Sequence, residues 1–266
     1  MTMGSHLRPR ELRQQIRAGE WQGPTAGCCE GYVQANLVIL PRSLAYDFLL
    51  FCHRNPRPCP LLEVTDAGEP EPKRTAPGAD LRTDVPRYRV YRQGHLEKGL
   101  TDITSFWRDD LGGFLLGCSF TFDGELRKAA IPVRHVEEGK NVSMYITNRS
   151  CVPAGRFAGP LVVTMRPIPA PLVSRAVELS SRLPLAHGAP IHVGDPEGLG
   201  IRDLSRPDFG DPVSVASGDV PVFWACGVTP QAVALDGRPE LLIAHAPGHM
   251  FITDLRTDRL ASLFVT

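Results

Sequence analysis

The 266-residue chain lacks the short signatures that announce a chemistry. There is no GxGxxG turn, no Walker A loop, no GxSxG elbow and no HExxH pair. Nucleotide-cofactor, serine-hydrolase and zincin readings therefore have no local support. No apolar run approaches the roughly 20 residues that a membrane span needs, and residues 1–10 carry no apolar h-region. Net charge is also missing: 29 basic residues balance 29 acidic ones, so there is no global pull toward nucleic acid or an anionic membrane. The seven cysteines are odd in number and form no CxxC pair, which argues against a disulfide framework. A cytoplasmic protein with reduced thiols is expected.

What is present suits a globular chain. Hydrophobic residues make up 42%, enough for a sizeable core, while 25 glycines and 25 prolines point to many tight turns and short elements. Periodicity predicts a helix over 8–18, a buried strand over Val33–Leu40, a helix over Ser43–Arg54 and short strands at Leu61–Val64 and Tyr88–Tyr91. Residues 66–80 read as a mobile loop. Further helices are expected over Thr104–Leu116, Phe120–Ala129 and Ala170–Arg182, with strands at Ile131–Val136, Met144–Thr147 and Leu161–Ile168. Val220–Cys226, a helix from Thr229 and Leu241–His245 read as strand, helix, strand, a βαβ pattern.

Several segments carry groups that can do chemistry. In Val220–Gln231 an apolar strand runs into Gly227, with Thr229 placed as an N-cap and Pro230 after it. A helix start there would aim backbone N–H groups at a substrate carboxylate, with Gln231 one turn on and the thiol of Cys226 beside it, its pKa lowered. His245 and His249 flank Pro247-Gly248, a strand-end turn with two imidazoles able to transfer protons near neutrality. With His187, His192 or Asp195 they are also the candidates for a divalent metal; the primary expectation is no cofactor. Arg134, His135, Glu137 and Glu138 cluster a guanidinium, an imidazole and two carboxylates, offering a carboxylate clamp and an acid or base. Arg149 is a second candidate clamp. Gln34 and Asn36 interrupt an apolar strand on one face, and buried amides demand partners, whether substrate or backbone.

In order along the chain stand GPTAG (23–27), GYVQANLVILP (31–41), FCHRNPRPCPLLEV (51–64), ADLRTDVPRYRVY (79–91), FLLGCSFTF (114–122), PVRHVEEGKNVSMYITN (132–148), PAGRFAGPLVVTMRPIP (153–169), HGAPIHVGDP (187–196), PDFGDPV (207–213), VPVFWACGVTPQAV (220–233) and HAPGHMFITD (245–254). Together they resemble the bacterial hydro-lyase family that shares its domain with mitochondrial D-glutamate cyclase. Cys28-Cys29 stands where that family's pattern carries an Ala-Pro-like pair, so neither thiol is taken as catalytic. The resemblance implies an α/β fold, a three-layer α/β sheet domain with a second, smaller α+β sheet-and-helix domain. The change of texture near residue 131 places the main domain at 1–130 and 194–266 and the smaller one at 131–193.

It also implies carbon–oxygen lyase chemistry, by analogy the cyclisation of D-glutamate to 5-oxo-D-proline with loss of water. On this reading His245 or His249, with Glu137 or Glu138, moves protons. Arg134, Arg149, Gln34, Asn36, Cys226, Thr229 and Gln231 hold a small carboxylate-bearing substrate. The alternatives are a metal-dependent dehydratase of a small hydroxy or amino acid, and a binding protein without chemistry. Nucleic acid and membrane are not expected partners; assembly into a homo-oligomer is compatible with the sequence.

Overall fold

The computed structural model describes residue 4 and residues 6–260. The first element, α1 (Pro9–Arg17), begins with Pro at its first position, and Glu11 accepts the Arg8 backbone N–H at 3.0 Å. The strand β1 (Tyr32–Pro41) follows, buried along almost its whole length, and then α2 (Arg42–Arg54), β2 (Leu61–Val64), β3 (Tyr88–Arg92) and β4 (His95–Leu100). Next come β5 (Leu111–Gly117), α3 (Phe120–Lys128) and the single turn α4 (Arg134–Glu137). The second half runs β6 (Met144–Ser150), β7 (Pro160–Pro169), α5 (Val173–Ser181), β8 (His192–Val193), β9 (Asp219–Ala225), α6 (Val228–Asp236), β10 (Leu242–His245), β11 (Phe251–Arg256) and α7 (Thr257–Leu260).

These strands form two antiparallel sheets. The larger runs β2-β5-β1-β10-β3-β4; β11 also pairs with β1. One edge of β1 is shared: its first half pairs with β11 (Ala35 opposite Phe251) and its second with β10 (Val38 opposite Ala244). The smaller sheet runs β6-β7-β9-β8.

Alternation along β1 splits the core. Val38 and Leu40 pack with Phe48 and Phe51 of α2 and with Val233 and Ala234 of α6. Leu37 and Ile39 face the other way, onto Ala76, Leu81 and Val85 of the long connection before β3. The mixed α/β character is as expected, but helices cover one face of this sheet centre and coil covers the other, so a three-layer arrangement does not follow from these contacts. The connection at 66–80, read as a mobile loop, is tied down: buried Glu63 accepts the N–H groups of Arg74 (3.0 Å) and Thr75 (2.7 Å) and the Thr75 hydroxyl (2.6 Å).

Three local expectations are corrected. The helix expected over Thr104–Leu116 is a 3₁₀ turn at Thr104–Phe106 followed by β5. β5 is buried on both faces, and a short continuous apolar run cannot be told from a buried helix by periodicity. Its last glycine packs tightly in this arrangement: a Cβ on Gly117 would sit 1.7 Å from the Leu185 carbonyl oxygen. The strand expected over Ile131–Val136 is instead the turn α4, whose His135 is buried against Asp123. The βαβ pattern around α6 does not form, because β9 belongs to the smaller sheet and β10 to the larger. Helix α6 thus spans from one sheet to the other.

Candidate active site

The register between β10 and β3 sets the geometry. His245 lies opposite Tyr88, Ala244 opposite Arg89, and the Ala246 N–H continues the ladder to the Arg87 carbonyl at 2.8 Å. On β3, Tyr88 and Val90 enter the core, so Arg89 and Tyr91 face the opposite side, toward α6. The turn after β10 therefore comes to rest beside Arg87 and Arg89. It closes with the His249 N–H on the Ala246 carbonyl (3.0 Å), and Gly248 adopts φ +78°, a value that favours glycine.

Two adjoining cavities open here, sharing Arg89 and Pro247. One, of about 470 Å³, is lined by Arg87, Arg89, Thr101 and His249 among others. The other, of about 500 Å³, lies between the two sheets and is lined by Arg89, Gln231 and an apolar wall from β6, β7 and α6. Both volumes fall within the roughly 300–1,000 Å³ of small-molecule sites. Neither Arg87 nor Arg89 has a carboxylate partner among the described residues. Arg87 is exposed and Arg89 partly buried, and together they offer positive charge to a bound anion.

His249 is half-buried. Burial lowers its pKa below the ordinary 6.5, and the charges of Arg87 and Arg89 press the same way, while its Nδ1 lies 2.8 Å from the Pro247 carbonyl. The ring is therefore neutral at pH 7 and can accept a proton. His245 sits deeper and is fully enclosed; burial pushes its pKa down to about 4. Its Nδ1 lies 3.1 Å from the Leu37 N–H nitrogen and 3.4 Å from the Leu37 carbonyl, so the ring is held against the β1 backbone. The Gln231 amide nitrogen lies 2.7 Å from that Nδ1, placing Gln231 between the buried imidazole and the open cavity.

Other expected site residues lie elsewhere. Thr229 does not cap α6, whose N-cap is Gly227. Its hydroxyl is buried, accepting the Val162 N–H (3.0 Å) and donating to the Val162 carbonyl (3.2 Å), so it ties α6 to β7. Cys226 accepts the Val228 N–H at 3.4 Å, yet burial pushes its thiol up to about 11, the reverse of the expected fall. Gln34 and Asn36 do share a face, and the amide nitrogen of each donates to the backbone, while Gln34 Oε1 is buried without a hydrogen-bond partner. Gln34 donates to the Thr25 carbonyl (2.8 Å) and Asn36 to the Gly117 carbonyl (2.8 Å). Gly227 packs so closely on Asn36 that a Cβ there would sit 2.1 Å from Nδ2.

Arg134 and Glu137 pair with each other at 2.9 Å on α4, and neither lines the two adjoining cavities. Lys140 and the Ser214 N–H hold the Glu138 carboxyl down at about 2, leaving a weak base. Arg149 is exposed near the end of β6. The groups considered as metal ligands are dispersed as well: His187 Nδ1 binds the Arg57 carbonyl (2.8 Å) and His192 Nε2 the Asp195 carbonyl (2.6 Å). Among the described residues no group of three or more His, Cys, Asp and Glu side chains could hold a metal ion.

A larger cavity, about 720 Å³, lies beside Cys52, Cys59 and Arg57. Arg57 is already committed to the carbonyls of His187 and Ala189, and burial raises the Cys59 thiol well above its ordinary value. That cavity offers no free cation or nucleophile of comparable kind. Beneath α3 lies a buried ion pair. Arg166 donates to both carboxylate oxygens of Asp123 (2.7 and 3.0 Å) and stacks 4.6 Å over Phe122. Burial opposes ionisation of Asp123, but Arg166 and His135 outweigh it and hold the carboxyl down at about 2. This pair is internally satisfied and is read as structural.

Arg87 and Arg89 escaped the sequence reading, which placed them in a strand-like PRYRVY segment. The available signal was the alternation that sends Tyr88 and Val90 inward and leaves Arg89 on the other face.

Among the described residues no helix is long and apolar enough to cross a membrane. A solved nitrogen repressor-like protein from Methanococcus jannaschii aligns over 92% of this chain and 97% of its own, with TM-score 0.39 and 10% identity, too loose a likeness to define a shared fold. The family model described as D-glutamate cyclase matches residues 113–254, which take in α6, His245 and His249. A Stutzerimonas stutzeri protein named "Putative hydro-lyase" is 62% identical over 260 residues, 98% of each chain. A Thermoanaerobacter sp. protein of the same description is 63% identical over 256 residues, covering 96% of this chain and 97% of its own. "Putative hydro-lyase YcsI" of Bacillus subtilis is 58% identical over 257 residues, covering 97% and 100%. With identity at this level over almost the whole length, the chain belongs to the D-glutamate cyclase family.

Proposed function

We propose that the protein is a hydro-lyase acting on a small carboxylate-bearing acid in the crevice between β3, α6 and the 245–249 turn. The observation that carries this is the convergence of two guanidinium groups without acid partners, Arg87 and Arg89, on the neutral imidazole of His249. The names of the relatives and of the family supply the reaction class. The residues supply its machinery on this reading: cations for a carboxylate and a base for a proton.

For D-glutamate the chemistry balances without oxidation. The α-nitrogen forms a bond to the side-chain carboxyl carbon, one carbon–oxygen bond of that carboxyl breaks, and 5-oxo-D-proline and water result. The two protons that leave the ammonium end on the departing oxygen. His249 is the group placed to take a proton from nitrogen and return it to oxygen, a role worth roughly 10²–10⁴ in rate. Arg89 or Arg87 holds a carboxylate, and the intramolecular geometry supplies the proximity. His245 does not exchange protons near neutrality on this reading; it positions Gln231.

The test is to incubate pure protein with D-glutamate and follow 5-oxo-D-proline by chiral chromatography. Turnover that falls at least tenfold in both Arg89→Gln and His249→Ala supports the reading. Absence of turnover by the wild-type protein, with and without added divalent metal, removes the cyclisation; full turnover by both variants removes the site.

A further inference from the structure

The polar crevice occupies only half of the space that opens at Arg89. Beyond that guanidinium the cavity of about 500 Å³ continues between the two sheets, and its wall is mostly apolar: Met144 and Ile146 from β6, Val162 from β7, Phe209 from the connection between β8 and β9, and Val228 and Val233 from α6. Ile146 is 43% exposed and Phe209 39%, both high for large apolar side chains at a cavity rim. A single open surface thus places an unpaired cation at one end and a chamber of aliphatic and aromatic carbon at the other. The remaining charged group on this wall, Asp236, makes no ion pair with Arg89.

We propose that this chamber is an apolar subsite, and that the protein takes acids whose apolar arm extends beyond a glutamate-sized core. The inference rests on the carboxylate role given to Arg89 and deepens it by naming the substrate class. An anion at Arg89 offsets the uncompensated charge. An aliphatic or aryl arm from the same molecule then covers Ile146 and Phe209 and leaves water behind, as burial of apolar surface favours. Glutamate, with a charged group at each end, cannot cover this wall without burying a carboxylate against carbon, which is costly. A monocarboxylate with a free alkyl chain is therefore the simplest probe of both halves, although it lacks the groups needed for turnover.

The experiment is isothermal titration calorimetry with straight-chain monocarboxylates from acetate to octanoate, against wild-type protein, Arg89→Gln, and the rim variants Ile146→Asp and Phe209→Ser. The rim residues are more than a third exposed, so these two variants should fold. Wild-type Kd is expected to fall up to roughly fourfold per added methylene until the chamber is filled. Ile146→Asp should flatten that slope, and Arg89→Gln should weaken every member about equally. Binding that needs Arg89 but is independent of chain length overturns the subsite and leaves the carboxylate reading standing. Affinity that rises with chain length but is not weakened by Arg89→Gln overturns both, as does the absence of binding by any member at millimolar concentration.

Discussion

Thr25 holds Gly248 by two hydrogen bonds, its N–H reaching the Gly248 carbonyl at 2.9 Å and its hydroxyl at 3.2 Å. The same hydroxyl oxygen accepts the Met250 N–H at 2.9 Å. The GPTAG loop is therefore a clamp on the turn that carries His249, although nothing in it touches the cavities at Arg89. Thr25→Val keeps the shape and removes the hydroxyl, leaving the Met250 N–H unpaired. The expected loss is about 1–3 kcal/mol of stability, read by urea denaturation, with kcat falling more than KM rises because the base is displaced and the arginines are not.

Arg89→Gln should raise KM, or the Kd of a carboxylate ligand, about 10–100-fold, the scale of one charge-assisted hydrogen bond of roughly 1.5–3 kcal/mol. Arg89→Lys should recover only part of this, because an ammonium lacks the planar fork. Stability should change little, since Arg89 has no ion-pair partner to strand. Denaturation curves alongside ligand titration check both halves of the expectation.

The pH dependence of the reaction should follow His249. Its pKa lies below 6.5, so the neutral base is present above that value and is lost as the pH falls through it. The kcat/KM profile is expected to be flat from pH 6.5 to neutrality and to fall tenfold per pH unit on the acid side. In His249→Ala that acid limb should vanish together with most of the rate. Stopped assays across the range are sufficient.

Stability should depend on two other histidines. Burial holds His245 and His187 neutral, each with its pKa pushed down to about 4, against 6.5 for the ordinary side chain. The unfolded chain takes up these protons near pH 6.5 and the folded one only near 4, so their contribution is complete above 6.5 and is lost as the pH falls through that window. Each should cost up to about 1.4 kcal/mol per pH unit there. Thermal melts at pH 7, 6, 5 and 4 should show the decline, and His245→Asn or His187→Asn should each reduce its slope.

Removing one member of the buried pair beneath α3 should hurt the fold and spare the site's chemistry. Arg166 is 1% exposed, and Arg166→Met strands the Asp123 carboxylate beside His135. A destabilisation of about 3–5 kcal/mol is expected from the single change. Arg166→Met combined with Asp123→Leu should recover part of it. Under conditions where the variants remain folded, carboxylate binding at Arg89 should be retained; calorimetric titration of the folded fraction checks this.

Much of the fold was legible because local pattern and tertiary context agree in β1, α2, β10 and α3. The helix start, Pro at the first position of α1, and the stop at Asn55-Pro56 after α2 are local signals of this kind. β5 was not legible, because its apolar run is buried on both faces and carries no period. Part of the candidate site's grouping was legible. His249, His245 and Gln231 lie together because β10 and α6 meet at the seam between the sheets. The candidate clamps in the sequence were Arg134 and Arg149, and Arg89 was not among them. What separates them is a property of the packing: Arg134 pairs with Glu137 and Arg149 is exposed at the end of β6, while Arg89 lines both cavities with no carboxylate opposite. Thr229 was misplaced by two positions: the N-cap is Gly227, so Thr229 lies inside α6 and its hydroxyl turns to β7.

The most direct measurement compares the conversion of D-glutamate to 5-oxo-D-proline by the wild-type protein, Arg89→Gln, His249→Ala and the double variant Glu137→Gln with Glu138→Gln. With the reaction centred on the 245–249 turn, kcat/KM falls at least about 10²-fold in His249→Ala and about tenfold or more in Arg89→Gln, and the double glutamate variant stays within twofold of wild type. Wild-type turnover that survives His249→Ala and Arg89→Gln but is lost in the glutamate variant would contradict this and move the chemistry to α4.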